Sequence, residues 1–335
     1  MAKERVIATL LKRYWPVGVV IVLALLPFNG LTIPGVFDGP LNSTGVLQIL
    51  ATCLVFGGLA SSYDLLFGRT GLLSFGHALY VAGGAYGTAI LTEAGLPLWQ
   101  AAIAAVLLAT TVAAALGAVA LRVHGIAFSM VTLAFAQVGA VLVARDPGGV
   151  TGGEEGLPLV GLPDFFLGVQ NTYKLYWVAL AYLVFVTAVV GRVVASPTGR
   201  VLAGIRDDER RVGVLGLDPY RFKLGAFVLS GFLAAVGGAV YVLLVGGASP
   251  HIASSELTLG LLVMVVLGGP ATRVGPVIGG VLYTYLDHRL TDVSTGLPGP
   301  LRQPLFVLGV VFILAVYFFP GGLAGVGTRP KPATG

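Results

Sequence analysis

GRVVASPTGRVLAGIRDDERRVGVLGLDPYRFK, residues 191–223, is the most polar stretch of an otherwise oily chain, and its reading decides the fold. It carries seven of the twenty basic residues and four of the fifteen acidic ones, between two long apolar runs. Ser196 followed by Pro197 predicts a helix start: the hydroxyl can accept from an unpaired amide, and proline's fixed φ suits the first helical position. Val201, Leu202 and Ile205 then fall on one helical face, with Arg200 and Arg206 off it. Asp207 is placed to cap a second turn, where Asp208 and Glu209 suit the positive end of a helix dipole. That turn carries Arg210, Arg211, Val212 and Leu215 and stops near Gly216, and Asp218-Pro219 opens the next helix. A short amphipathic helix pair wedged between two apolar spans has the form of a handle, to be gripped from the cytosol.

Outward from this stretch the chain is built for lipid. Apolar residues make up 56% of its 335 positions and charged residues 10%, far from the ordinary soluble balance. Runs of about 20 apolar residues recur from end to end, the length that crosses a bilayer core as a helix. The net charge of +5 is not a nucleic-acid footprint, because the basic residues gather between the apolar runs. The single Cys53 excludes internal disulfides and a cysteine-based metal site. Forty-nine glycines are many for a soluble helical protein, but membrane helices tolerate glycine and use it to pack closely.

The run at 15–31 lacks a clear small-x-small cleavage site and is followed by more spans, so it reads as an uncleaved first helix. Further spans are predicted near 46–67, 72–92, 97–121, 126–144, 175–195, 220–246, 256–269, 274–288 and 303–320, the eighth and ninth being short for full crossings. The fold class is therefore all-α: a polytopic membrane protein with about ten transmembrane helices. Residues 1–14 form an amino-terminal cytosolic segment, 15–320 one transmembrane domain containing the 191–223 loop, and 321–335 a cytosolic tail. With the amino terminus inside, alternation leaves sixteen basic residues on inner segments and four on outer ones, which favours both termini and the 191–223 loop in the cytosol. The outer loop 145–173 is glycine-rich, carries Glu154, Glu155 and Asp164, and is too polar for lipid. Gly71-Leu72-Leu73 and Gly260-Leu261-Leu262 are a faint echo of an inverted repeat.

Polar residues inside the spans are the candidates for function, since they are costly against lipid and should face protein or water. In GLLSFGHALYVAGGAYG, 71–87, Ser74, His77 and Tyr80 are expected in mid-helix, as a pathway lining or as packing groups, with Gly76, Gly83 and Gly87 on the face of Tyr80. In GIAFSMVTLAFAQVGAVL, from 125, Ser129 and Thr132 are expected to bond back to their own helix. Gln137 is the better pathway or inter-helix candidate. Asp64 near the inner end of the second span, with Arg69 beyond, reads as snorkelling or a local pair; a proton-relay role lacks a second buried acid. LGGPATRVGPVIGG, 267–280, reads as a hinge, allowed only where freed backbone groups are covered. There is no phosphate-binding loop, no HExxH and no CxxC, and the histidines at 77, 124, 251 and 288 have no mutual ligand spacing, so an enzyme is disfavoured. A potassium-type pore is disfavoured too.

Five stretches together resemble the inner-membrane permease subunits of ATP-binding-cassette importers for branched-chain amino acids, of the LivM type. They are 71–87, 125–137, TGGEEGL at 151–157, SPTGRVLAGIRDDERRVGVLGL at 196–217 with KLGAFVLSG at 223–231, and VMVVLGGPATRVGPVIGG at 263–280. The resemblance implies an importer permease fold with a cytosolic coupling helix. It implies partners: a homologous second permease, two cytosolic ATPases that bind the ATP, an extracytoplasmic substrate-binding protein, and membrane lipid, with no nucleic acid and no cofactor or metal of the chain's own. Coupling to an ATPase is then expected of Ser196, Gly199, Arg200, Leu202, Gly204, Ile205, Arg206, Asp207, Glu209 and Arg210, the apolar side of 201, 202 and 205 anchoring the grip. The translocation pathway is expected at Ser74, His77, Tyr80, Thr132 and Gln137. The family's EAA-glycine loop signature is degenerate, reduced to Ala203-Gly204. Related permeases import urea or short amides, and residue chemistry does not separate these substrates. An ion-coupled secondary transporter needs buried carboxylates, for which Asp64 alone is thin support. A non-transporting scaffold leaves the polar faces unexplained.

Overall fold

The structure is a computed structural model that describes residues 18–32, 37, 39–163, 165–166, 168, 171–294, 303–318 and 321–325. The segment 1–14, Asp164 and most of the tail 321–335 lie outside the described residues. The helices are α1 (Gly18–Phe28), α2 (Thr44–Thr70), α3 (His77–Glu93), α4 (Leu98–Ala120), α5 (Ile126–Arg145), α6 (Thr172–Ala195), α7 (Pro197–Val214), α8 (Pro219–Val245), α9 (Ser255–Gly268), α10 (Gly275–Ser294) and α11 (Pro304–Phe318). All but α7 correspond to the apolar runs, and among the described residues six helices are long and apolar enough to cross a membrane. The chain is an all-α multi-pass membrane protein, because in lipid each span must satisfy its backbone internally. One pair of two-residue strands, β1 (Leu157–Pro158) and β2 (Gly247–Ala248), joins antiparallel and ties the α5–α6 loop to the end of α8.

Burial orders the bundle. The apolar windows of α2 and α8 are 61% and 56% buried, those of α4 and α5 only 28%, so α2 and α8 form the centre. α6 and α10 flank α2, α3, α4 and α8 pack against one another, and α9 leans on α10. α3 crosses α8 at close range. A Cβ on Gly84 would strike the Ala235 carbonyl, and one on Gly238 the Val81 carbonyl, so backbone meets backbone. Gly83 and Gly87 do admit a helix, as expected, and it is α4 through Ala109 and Ala105. Gly84, which makes the tighter contact, was not singled out by the sequence.

α2 and α8 are each 27 residues long, and each ends on a left-handed glycine, Gly71 at φ 75 and Gly246 at φ 79. Each is followed by a segment without α-helix and then a short helix, α3 of 17 residues or α9 of 14. Gly71 thus shares its place at the end of a long helix with Gly246, whereas Gly260 sits inside α9. A 14-residue helix is about 21 Å long, too short for a core of about 30 Å. α9 is short as expected; α10, at 20 residues, is not.

Candidate functional site

Two regions concentrate the polar chemistry. The first is the break between α2 and α3. Third-span residues expected in mid-helix are not: Gly71–Gly76 is non-helical and His77 is the first residue of α3. The freed backbone is met by side chains from three helices. Tyr63 of α2 donates its hydroxyl to the Ser74 carbonyl at 3.0 Å. Ser129 of α5 donates to the Leu73 carbonyl at 2.7 Å, and the Phe75 amide donates to Thr132 Oγ1 at 3.0 Å. The Gly76 amide donates to Ser74 Oγ at 3.2 Å and the Ala78 amide to Thr258 Oγ1 of α9 at 2.9 Å. Thr132 also donates back to Ser129 O at 2.9 Å, so the expected self-bonding is half the account. Ser129 instead reaches across to another segment. Irregular backbone inside a membrane protein survives only with such cover.

His77 is wholly buried. Ser62 Oγ donates to the Leu59 carbonyl at 2.7 Å, which leaves its lone pairs to accept from His77 Nε2 at 3.0 Å. Ser230 of α8 donates to the Ser62 carbonyl at 2.7 Å, tying the same point to the bundle centre. Tyr80 stands edge-on to Phe227 of α8, centroids 5.8 Å apart. Ser74, His77, Tyr80 and Thr132 thus take up positions inside the packing of the chain, while Gln137 is exposed on α5 among apolar side chains that include Met130, Leu133, Val138 and Val141.

The second region is the end of the bundle that carries α7. Ser196 caps α7 as expected, its Oγ accepting from the Gly199 amide at 3.3 Å, and Asp218 caps α8 through the Tyr220 amide at 3.1 Å. The internal cap is Asp208 rather than Asp207. Asp208 is extended at φ −160, ψ 101, and its Oδ1 accepts from the amides of Arg210 and Arg211 at 3.0 and 3.3 Å. The break folds the two segments of α7 together, so that a Cβ on Gly204 would lie 3.3 Å from Val212 Cγ2. Gly199 is pressed against Val193 and Val194 at the end of α6.

The apolar face of α7 is turned the other way from expectation. Leu202 is 1% exposed and Ile205 5%, packed in this chain's own core, where α7 meets α2, α6 and α8. They fix the handle to the bundle. Arg200, Arg206, Asp207 and Arg210 lie on the exposed side, with Val214 at 88% and Leu215 at 77% at the tip. The Arg206 guanidinium also donates to the Gly68 carbonyl at the end of α2.

Asp64 is a local pair and more. Its Oδ2 is 3.5 Å from Arg69 Nε, and its Oδ1 accepts from the Ala271 amide at 2.8 Å. Ala271 has a φ of 62, so a carboxylate from α2 holds the turn between α9 and α10. That is the cover the 267–280 hinge required. A cleft of about 330 Å3 opens at this end between the residues after α2, the α4–α5 connection, α7 and α8; its rim includes Gly71, His124, Arg206, Glu209 and Lys223. Lys223 was missed by the sequence reading, as a basic residue at a helix start resembles any interfacial lysine.

The description "Branched-chain amino acid transport system / permease component" belongs to a family that matches residues 45–316. The "High-affinity branched-chain amino acid transport system permease protein LivM" of Escherichia coli (strain K12) is 27% identical over 314 residues, covering 86% of this chain and 72% of that protein. The "Probable branched-chain amino acid transport permease protein LivM" of Methanocaldococcus jannaschii is 24% identical over 186 residues, covering 52% and 53%. Among solved structures, "PsaBC from Streptococcus pneumoniae in complex with Fab" is 12% identical and covers 85% of this chain and 95% of that chain at a TM-score of 0.44, too loose a likeness to reason from.

Proposed function

The chain belongs to the family of branched-chain amino acid transport system permease components, and from that membership we propose how its parts divide the work of import. It is a transport subunit of an ATP-binding-cassette importer, not an enzyme. Leucine, isoleucine and valine are its substrates across the cytoplasmic membrane. ATP is bound and hydrolysed by two separate cytosolic subunits, a binding protein delivers substrate on the outer face, and a homologous second permease completes the pathway. The end of the bundle that carries α7 is cytosolic, as are both termini.

The observation that carries this reading is α7 itself: a helix anchored through Leu202 and Ile205, broken at Asp208, and presenting Arg200, Arg210 and the apolar tip Val214-Leu215 to its surroundings. The tip, rather than the buried 201–205 face, is what an ATPase groove takes. The exposed face of α5, with Gln137 amid apolar residues, meets the second permease, since a lone amide is costly against lipid. ATP-driven approach of the ATPases displaces α7 and exchanges inward-open for outward-open states. Reversing a 1:99 balance takes about 5.5 kcal/mol of differential binding, within reach of several such contacts.

The test is reconstitution. Vesicles holding the chain, its second permease and the ATPases should take up leucine when supplied with ATP and the binding protein, and two ATPase copies should co-purify. A cysteine at position 208 should react with an impermeant thiol reagent from the cytosolic side alone, with little background from the buried native Cys53. Labelling from the outer side, or uptake without nucleotide hydrolysis, overturns the reading.

A further inference from the structure

The two segments of α7 are held to the bundle in different ways. Before the break, Leu202 and Ile205 are buried and Arg206 bonds to the end of α2. After it, Val212 is buried and one buried-partner ion pair reaches across: Lys223 Nζ of α8 lies 2.5 Å from Glu209 Oε2. The lysine side chain is 9% exposed and the glutamate 36%; the other glutamate oxygen is 4.0 Å from His124 Nε2 of the α4–α5 connection.

We infer that Lys223 is the anchor through which displacement of the second segment of α7 reaches α8, making it a positioning residue for transport. The inference rests on the reading of α7 as the coupling element. Three features support it. The extended Asp208 gives residues 209–214 a pivot. The cleft of about 330 Å3 bordered by Glu209 and Lys223 gives that segment room to move. A buried ammonium is stable only while paired, so Glu209 cannot withdraw without drawing Lys223 along or stranding it. The link therefore transmits pull as well as push. α8 is an unbroken helix of 27 residues, and its closest neighbour is α3 through Gly84 and Gly238. Movement delivered at Lys223 arrives at the helix that follows the non-helical segment 71–76.

The experiment uses the complete reconstituted transporter and reads leucine uptake and phosphate release in the same vesicles. Lys223→Gln should lower the leucine moved per ATP hydrolysed by about tenfold, the size expected of directly coupled groups. Lys223→Arg should keep the ratio near wild type. The reversed pair E209K/K223E should recover most of what each single substitution loses. The inference is overturned if Lys223→Gln leaves the ratio unchanged, if uptake and hydrolysis fall in proportion, or if the reversed pair is no better than the singles. Should Lys223→Gln be absent from membranes, the arginine variant and the reversed pair decide. Absence of ATP-dependent uptake by the wild-type complex would defeat the importer reading itself, a result separate from all of these.

Discussion

Replacing Thr132 by valine tests whether α5 holds the break between α2 and α3. Thr132 is 1% exposed, and its hydroxyl accepts from the Phe75 amide at 3.0 Å and donates to the Ser129 carbonyl at 2.9 Å. Valine keeps the shape and removes both bonds. Ser129 O lies within a helix and retains its helical partner, so the loss there is small. The Phe75 amide loses its acceptor, and an unmet buried amide costs about 1–3 kcal/mol. Serine keeps the hydroxyl and gives up one methyl, for which about 1 kcal/mol is appropriate. The expected order of stability is wild type, Thr132→Ser, Thr132→Val. In domains of 150–250 residues each kcal/mol moves Tm by about 2–4 °C, and a longer chain lies at the low end. Valine should therefore melt about 4 °C below wild type and serine about half as far, followed by size-exclusion after heating in detergent. If valine melts with or above serine, the Phe75 amide has another acceptor and the segment is not held from α5.

Gly238→Val drives a side chain into the Val81 carbonyl, which no rotamer change can relieve, at a cost of about 1–3 kcal/mol or more; it should abolish monodisperse protein, whereas Gly225→Ala, with nothing within 4 Å of its Cβ, should be silent. Gly204→Arg forces apart the two segments of α7 at Val212 without touching the bundle interior, so membrane levels should persist while uptake is lost and ATP hydrolysis continues. Unchanged uptake counts against it. The Asp146 carboxyl, beyond the end of α5, is held below its ordinary value by the amides of Thr151 and its neighbours. A depressed carboxyl contributes stability above its unfolded value, near 3.8, and loses it as pH falls through the lower folded one. Protection of the Thr151 amide, taken against its intrinsic exchange rate, should fall over that acidic window, and Asp146→Ala should remove the pH dependence.

Local chemistry was legible in the sequence and partnership was not. Ser196-Pro197 and Asp218-Pro219 were readable as caps because the acceptor and its amide lie within three residues of each other. Asp208 was displaced by one from the expected Asp207, since periodicity cannot say which carboxylate leaves the helix. GLLSFG looks helical by hydrophobicity, and what straightens it comes from far away: Thr132 is 57 positions from Phe75, and Thr258 is 180 from Ala78. For the same reason Ser129 was expected to bond to its own helix. The face of Leu202 and Ile205 was correctly identified as apolar, but amphipathicity does not say whether its cover is a partner or the chain itself. Asp64 was readable as paired with Arg69; its second duty at Ala271 lies 207 residues away.

The interleaving of the bundle bears on how it is made. α2 and α3 leave the ribosome long before α8, against which both pack, and α2 long before α10. Until Pro219–Val245 has been synthesised, the Gly84 face is bare, and the Ala78 amide waits longer still for Thr258. The newborn first half must then linger in the bilayer as an unfinished assembly, dependent on the insertion machinery for shelter. A chain truncated before Pro219 should be quality-control substrate rather than a stable fragment.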